Sequence, residues 1–245
     1  MRIGVDLGGT KIEGIVLDSS GSICARQRIM TPRGDYAATV VGIRDLVTAL
    51  ERDAGLSKQL PVGVGIPGTV SPTTDLIKNA NSTCLIGERL NRDLESALGR
   101  PVRLANDADC FAISEAVDGA GAGHKVVFGV ILGTGVGGGI VVDGRLLQGP
   151  NAITGEWGHN PLPWPAVISG IDERPGLKCY CGREGCIETF LSGPGLAVDH
   201  ERATRRTMDA AEIIKRASAH HGDAKATLDR YEGRIARALA SVINL

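Results

Sequence analysis

The chain has 245 residues, a formal net charge of −1 and 42% hydrophobic residues, with only 3% aromatic residues. This length suits one large or two small domains, and the absence of a basic block argues against nucleic acid as the main partner. The sequence has no run of about 18 apolar residues, so it predicts no membrane span. The start MRIGVDLGG does not resemble a signal peptide. We therefore expect a cytoplasmic protein that binds neither membrane nor nucleic acid.

Strands and helices alternate along the chain, beginning with a strand–turn–strand hairpin at Gly4–Asp18. Apolar residues at helical spacing from Tyr36 to Leu50 follow, with Asp35 as the candidate N-cap. The later elements are a buried strand at Val62–Ile66, a helix at Asn91–Leu98, a strand at Val102–Leu104, a helix at Asp109–Ala120 and a second hairpin at Gly129–Asp143. This order predicts an α/β fold with mostly parallel sheets.

The two hairpins are related in sequence. GVDLGGTKIEGIVLD reappears 125 positions later as GVILGTGVGGGIVVD, and eight of the fifteen residues match without a gap. We therefore predict two related lobes, an N-terminal lobe over residues 1–117 and a larger C-terminal lobe over residues 118–245.

Each hairpin carries a glycine-rich turn. Glycine lets backbone N–H groups approach phosphate oxygens, so paired turns suit a polyphosphate, although a glycine hairpin by itself is also an ordinary tight turn. Asp6 stands where the second copy has Ile131, and a carboxylate beside a phosphate turn is a candidate Mg²⁺ ligand. The predicted phosphate-binding residues are Gly8, Gly9, Thr10 and Lys11 in the first turn and Gly133, Thr134 and Gly135 in the second.

Three cysteines, Cys179, Cys181 and Cys186, fall within eight residues, and His159 precedes them across a Pro- and Gly-rich stretch at 161–178. One imidazole with three thiolates makes a closed tetrahedral zinc site, which would be structural because no coordination position is open. Such a site would hold a loop that is too long to be ordered alone. The alternative is three unrelated thiols beside a histidine with another role.

Polar residues cluster at two further places. Asn106 and Asp107 stand at a strand end, where α/β proteins bind ligands, although by themselves they fit an Asx pair that caps the next helix better. Asp109 fits that helix start better than Asp107. Further carboxylates and amides that suit a sugar are Asn79, Asn81, Glu156, His159 and Glu188.

The last predicted helix carries an apolar face with no Gly or Pro stop after it. We therefore expect a truncated chain whose final helix lacks a partner for that face. The face consists of Leu228, Tyr231, Ile235, Leu239 and Val242.

Several of these motifs together resemble the ROK group of sugar kinases, and the resemblance covers essentially the whole chain. The motifs are VDLGGTK, GIPG, NDAD, ILGTGVGGG, GEWGH and CYCGREGC. Within the group, NANST and GEWGHNPLPW are most similar to bacterial fructokinases (manno-fructokinases), and N-acetylglucosamine kinases are close relatives.

The resemblance implies a two-lobed actin/hexokinase-like ATPase fold built from duplicated ribonuclease H-like domains. It implies Asp107 as the base that accepts the proton of the sugar 6-hydroxyl, and both glycine turns facing ATP. It implies sugar contacts from Asn106, Glu156, His159 and Glu188. The expected ligands are a hexose, ATP, Mg²⁺ and structural Zn²⁺, and the family tendency is a homodimer.

The expected reaction is therefore phosphorylation of a hexose at its 6-hydroxyl, most readily fructose. N-acetylglucosamine, mannose and glucose are alternatives, because no residue distinguishes these sugars uniquely. An alternative of another class is a sugar-binding regulatory or inactive module. Against a repressor, only five residues precede Asp6, and against an inactive module both Asp6 and Asp107 are present.

Overall fold

A computed structural model describes residues 1–80 and 82–244. The strands are β1 (Arg2–Leu7), β2 (Lys11–Leu17), β3 (Ile23–Met30), β4 (Val62–Ile66), β5 (Thr69–Val70), β6 (Ile77–Lys78), β7 (Val102–Asn106), β8 (Val126–Leu132), β9 (Val136–Val142), β10 (Arg145–Leu146), β11 (Val167–Ile168) and β12 (Ile171–Asp172). The helices are α1 (Tyr36–Asp53), α2 (Leu90–Leu98), α3 (Asp107–Asp118), α4 (Ile187–Leu191), α5 (Gly193–Thr204), α6 (Ala210–Ser218) and α7 (Gly222–Ile243). None of these helices is long and apolar enough to cross a membrane.

The chain divides into two compact units. The first comprises Met1–Val127 and Val141–Thr154, and the second comprises Phe128–Ile140 and the chain from Gly155 onward. The chain passes between the units more than once, because the β8–β9–β10 segment contributes to both. The two predicted hairpins are present, as β1–β2 and β8–β9.

A five-stranded sheet in the order β3-β2-β1-β4-β7 forms the centre of the first unit. β1, β4 and β7 run parallel, whereas β1, β2 and β3 are antiparallel neighbours. The sheet is therefore mixed, and the expectation of mostly parallel sheets was wrong for half of it. Short connections join β1 to β2 and β2 to β3, and only an antiparallel pair closes with such short turns.

Helix α1 begins where the sequence places it, because the Asp35 carboxylate accepts a hydrogen bond from Ala38 N at 2.9 Å. In its apolar stripe, Ile43, Val47 and Leu50 are completely buried against the sheet, and Tyr36 and Val40 pack beside them partly buried. The same core holds Val5 and Leu7 of β1. Successive strand residues point to opposite faces, so Asp6 projects from the face of the sheet opposite this core.

Four helices, α4 to α7, pack against one another in the second unit. The apolar face of α7 does have partners there, so the expectation of an unpartnered last helix was wrong. Leu228 and Tyr231 pack on α5 and α6, and Tyr231, Ile235, Leu239 and Val242 pack, partly buried, around Trp157, Phe190 and Leu191.

A buried ionic network also joins α7 to the Pro- and Gly-rich stretch. Arg234 is 1% exposed and pairs with Glu173 and Asp199, each at 2.8 Å. Arg230 pairs with Asp199 at 2.7 Å, and Arg237 pairs with Glu173 at 2.7 Å. The predicted loop at 161–178 is thus partly ordered structure, since it contains the β11–β12 hairpin and is held by these arginines.

Candidate functional site

Two carboxylates of the first unit stand at the carboxyl ends of parallel strands. Asp6 is the second-to-last residue of β1 and pairs with Gly65 of β4, and Gly65 in turn is paired with Ala105 of β7, directly before Asn106 and Asp107. A Cβ on Gly65 would lie 3.8 Å from Asp107 Cα. The start of α3 therefore packs close to β4, and Asp107 lies at the strand end where α/β proteins bind ligands.

The NDAD segment turns directly from strand to helix. Asn106 is the N-cap of α3, since its Oδ1 accepts hydrogen bonds from Ala108 N at 2.9 Å and Asp109 N at 3.2 Å. Its amide also donates to Gly68 O at 3.2 Å. The capping explanation thus holds for Asn106, whose oxygen is engaged within the protein. Helix α3 begins at Asp107, not at Asp109 as expected, because the cap precedes it.

The surroundings of both carboxylates raise their pKa above the ordinary carboxyl value. Partial burial, followed by repulsion from Asp107 and Glu13, raises the pKa of Asp6. Burial raises the pKa of Asp107, and hydrogen bonds from the backbone at Ala108 and at Asp107 itself oppose the rise. A raised pKa makes a carboxylate a stronger base, and a cation between like charges relieves their repulsion. The site therefore suits proton acceptance, cation binding or both.

The first glycine turn is braced from behind by β3 and the segment after it. Gly8 N donates to Lys11 O at 3.1 Å, which closes the turn. Thr31 donates from its backbone N to Thr10 O at 3.0 Å and from its hydroxyl to Gly8 O at 2.7 Å. These hydrogen bonds occupy the carbonyl oxygens of Gly8, Thr10 and Lys11. Gly9, Thr10 and Lys11 are exposed at the tip of the hairpin.

The second turn lies at the tip of the β8–β9 hairpin. Gly133 N donates to Gly135 O at 2.9 Å, and Gly133 O accepts from Gly193 N at 2.8 Å, while Thr134 is exposed. Glu188 is 9% exposed, and its carboxylate accepts a hydrogen bond from Val136 N at 2.8 Å. A Cβ on Gly135 would lie 2.7 Å from that carboxylate. Glu188 and the second turn are therefore packed together within the second unit.

The four predicted metal ligands come together. One ligand atom from each of His159, Cys179, Cys181 and Cys186 lies within 4.8 Å of every other. Cys181 Sγ is 3.6 Å from Cys186 Sγ, and Cys179 Sγ is 3.5 Å from His159 Nδ1. Three sulfurs and one imidazole nitrogen are the donor set of a closed tetrahedral zinc site, with spacings near the roughly 3.8 Å that Zn–S bonds of 2.3 Å require. The residues fit Zn²⁺.

Tyr180 was not predicted from the sequence and fixes the histidine of this cluster. Its hydroxyl lies 3.0 Å from His159 Nε2, and the two rings meet edge to face at 5.1 Å. With Nε2 facing Tyr180, Nδ1 points toward the thiols. The only sequence signal was the position of Tyr180 between two cysteines.

The GEWGH segment is anchored on β9. The Trp157 indole donates to Gly137 O at 2.8 Å and stacks edge to face on Phe128. A Cβ on Gly158 would lie 2.2 Å from Val136 O, so only glycine permits this approach. His159 donates through its backbone N to Glu156 O at 3.2 Å, and Glu156 is half-buried. The anchoring fixes the backbone that carries both predicted sugar contacts.

The predicted residues of the NANS loop are only partly described. Asn79 is exposed, directly follows β6 and has a φ of 55°, which asparagine tolerates better than most residues. Asn81 lies outside the described residues. In the first unit the structure therefore brings together Asp6, Asn106 and Asp107. In the second it brings together His159 with the cysteines and Glu188 with the second turn.

Comparison with known proteins places the chain in a family. The model of the ROK family matches residues 2–245, and the chain belongs to the ROK family. It is 40% identical to an N-acetyl-D-glucosamine kinase of Pectobacterium carotovorum, over 100% of this chain and 80% of that protein. It is 39% identical to an N-acetyl-D-glucosamine kinase of Yersinia pestis, over 100% of this chain and 95% of that protein.

Solved structures confirm the fold. A ROK hexokinase from Thermus thermophilus superposes with a TM-score of 0.83 at 31% identity, over 99% of this chain and 77% of that one. A ROK glucokinase from Streptomyces griseus, in complex with glucose and AMPPNP, superposes with a TM-score of 0.76 at 29% identity, over 99% and 79%. The predicted hexokinase-like α/β fold is thus confirmed. The curated relatives named above are N-acetylglucosamine kinases, so fructose is not confirmed as the sugar.

Proposed function

We propose that this protein transfers the γ-phosphoryl group of ATP to the 6-hydroxyl of a hexose, with N-acetylglucosamine as the preferred sugar. The observation that carries the proposal is Asp107, a carboxylate with a raised pKa at the carboxyl end of β7, which β4 separates from the strand of Asp6. The choice of sugar is supported by the N-acetylglucosamine kinases that match the full length of the chain. Fructose, the sugar indicated by the motifs, is the alternative.

Asp107 is the proposed general base. It accepts the proton of the 6-hydroxyl as that oxygen attacks the phosphorus in line with the departing ADP. Its raised pKa strengthens it for this role. Asn106, whose oxygen caps α3, holds the start of the helix that carries Asp107. Phosphoryl transfer needs mainly positioning and neutralisation of charge, so a fixed base and fixed backbone donors supply most of what the protein must provide.

The two glycine turns are the proposed ATP-binding elements. Gly8–Lys11 and Gly133–Gly135 offer backbone N–H groups, and the AMPPNP held by the related glucokinase supports a nucleotide ligand. Asp6 is the proposed Mg²⁺ ligand, and Mg²⁺ when bound would neutralise phosphate charge. Repulsion from Asp107 contributes to the raised pKa of Asp6, and a bound cation would relieve that repulsion. This supports a cation site at Asp6.

Asn79, Asn81, Asn106, Glu156, His159 and Glu188 are the proposed sugar contacts. Zn²⁺ on His159 and the three cysteines is proposed to be structural, because four protein ligands leave no open coordination position. The metal would fix the segment from His159 to Glu188, whose two ends carry proposed sugar contacts. Zinc therefore supports sugar binding indirectly.

The test is a coupled assay that follows ADP release with N-acetylglucosamine, fructose, mannose and glucose in turn. We expect the highest kcat/KM with N-acetylglucosamine and no ADP release without sugar. A higher kcat/KM with fructose would support the proposed kinase activity and identify fructose as the preferred sugar. Sugar binding in calorimetry without ADP release from any of the four would contradict a kinase and favour the regulatory or inactive module.

A further inference from the structure

A cavity of about 330 Å³ lies in the first unit beside the first glycine turn. Its walls are Leu7 and Gly9, the connection Thr31–Gly34, Thr39 of α1 and the segment Ser82–Leu85. We propose that this cavity binds a phosphate monoester, with the Arg33 guanidinium as its principal contact. No residue of this wall except Gly9 belongs to the site proposed above.

The charge of the cavity favours an anion. Among the described residues that line it, Arg33 alone is charged, and across 1–80 and 82–244 no carboxylate pairs with its guanidinium. One Arg33 nitrogen donates to Thr10 Oγ1 at 3.0 Å, which orients the side chain. A guanidinium has five N–H donors in a planar fork, so most remain available for a phosphate.

Hydroxyl groups complete the donor set. Ser82 and Thr83 carry hydroxyls that bond to no other side chain within the described ranges, and a Cβ on Gly9 would lie 3.7 Å from Ser82 Oγ. The hydroxyls of Thr31 and Thr39 donate instead to the carbonyl oxygens of Gly8 and Asp35. Arg33, Ser82 and Thr83 are thus the available side-chain donors. Several donors with one guanidinium suit the oxygens of a doubly charged phosphate.

The cavity is separate from the Asp6–Asp107 site. Leu7, which lines the cavity, is buried in the core on the α1 side of the sheet, whereas Asp6 projects from the opposite face. Two segments connect them: the glycine turn, which Thr31 and Arg33 hold by hydrogen bonds, and the NANS loop, whose Ser82 lines the cavity. A ligand at this position therefore touches the back of the turn and reaches neither carboxylate.

Two sources of the phosphate are distinguishable. Inorganic phosphate and a hexose 6-phosphate both present phosphate oxygens to Arg33. The cavity volume falls at the lower end of the range for small-molecule sites, so an organic group also fits. We expect the hexose 6-phosphate to bind more tightly. The probes are inorganic phosphate and N-acetylglucosamine 6-phosphate, each titrated calorimetrically into the full chain, so that the readout is independent of turnover.

The decisive variant is Arg33→Met, compared with Arg52→Met, which removes an exposed arginine from the other end of α1. Arg33→Met should weaken binding of the probe about 10- to 100-fold, the loss expected for a charge-assisted contact. Arg52→Met should bind within twofold of the unchanged protein, and Ser82→Ala should show a smaller loss than Arg33→Met. Equal affinity of Arg33→Met and the unchanged protein, or no binding of either probe to the unchanged protein, would overturn the proposal.

Discussion

At the scale of single residues, the site depends on how neighbouring groups set the proton affinity of a few carboxylates. Asp107 and Asp109 are two residues apart on α3, and the pKa of each is raised by burial, with Asp107 adding repulsion at Asp109. Side chains two apart on a helix project in different directions. Only Asp107 is assigned the role of base. Substitution of Asp109 is therefore a matched control for substitution of Asp107.

Asp107→Asn keeps the size of the side chain and removes its basicity. We expect kcat to fall by roughly 10²–10⁴, the usual contribution of a general base, with little change in sugar affinity. In the unchanged enzyme, kcat/KM should decline as the pH falls through the raised pKa of Asp107. The steady-state assay at a series of pH values measures both.

Asp109→Asn is the control and should remain active. An inactive Asp109→Asn variant together with an active Asp107→Asn variant would assign the general base to Asp109 instead of Asp107. Stability provides an independent readout, since a carboxylate with a raised pKa destabilises the folded protein when charged. Asp107→Asn should therefore melt at or above the temperature of the unchanged protein near neutral pH, with the difference disappearing at pH values below the ordinary carboxyl range.

At the scale of elements, the arginines of α7 hold the segment that precedes the metal cluster. Arg230, Arg234 and Arg237 follow one another at helical spacing, and together they enclose Glu173 and Asp199. Glu173 is 1% exposed. Burial by itself would raise the pKa of Glu173, but hydrogen bonds from Arg237 and Arg234 outweigh it and lower the pKa. The carboxylate therefore stays charged inside the protein.

Glu173→Gln leaves Arg234 and Arg237 without their shared counter-ion. Removing one partner of a buried ion pair costs about 3–5 kcal/mol, so we expect a clear loss of unfolding free energy in urea. The contribution of Glu173 is present above its unfolded-state pKa and is lost as the pH falls through its lowered folded-state pKa. The difference between the two proteins should therefore shrink in acid.

Asp172→Asn is the matched control for this loss. Asp172 is the preceding residue, its side chain is 48% exposed, and its carboxylate forms an ion pair with the exposed Arg174. Because exposed pairs contribute little, the melting temperature should hardly change. Similar losses of stability from Glu173→Gln and Asp172→Asn would contradict the role given to the buried network, because any change in this loop would then destabilise the protein.

At the scale of the whole molecule, the proposed metal belongs to one unit only. His159 and the cysteines lie in the second unit, whereas the β1–β4–β7 strands lie in the first. Zinc that joins distant segments of a chain contributes to folding of the structure around it. Its removal should therefore have a regional effect.

We expect one equivalent of zinc per chain. After chelation, or in Cys181→Ser, amide hydrogen exchange should accelerate between about residues 156 and 191 and remain slow in β1, β4 and β7. Cys24→Ser is the control, because Cys24 is an exposed thiol of β3 outside the cluster. Far less than one equivalent of zinc in purified protein, or acceleration spread evenly over both units, would contradict the assignment.

The sequence by itself determined the features that rest on local pattern. The duplicated hairpins, α1 with its Asp35 cap, the buried strand β4 and the convergence of His159 with the cysteines were all predicted correctly. Each depends on residue spacing, on capping chemistry or on the few ligand sets that a metal accepts. Such signals are read from neighbouring residues and do not depend on the remainder of the fold.

Only the tertiary structure decided features that depend on contacts between distant segments. The mixed order of the main sheet, the partners of the α7 apolar face, the Glu173–Arg234 network and the cavity at Arg33 join residues far apart in the chain. Arg234, which the sequence analysis does not single out, is buried because Glu173 reaches it from another segment. Burial and pairing are properties of the packed structure, since both require the chain to bring its partners together.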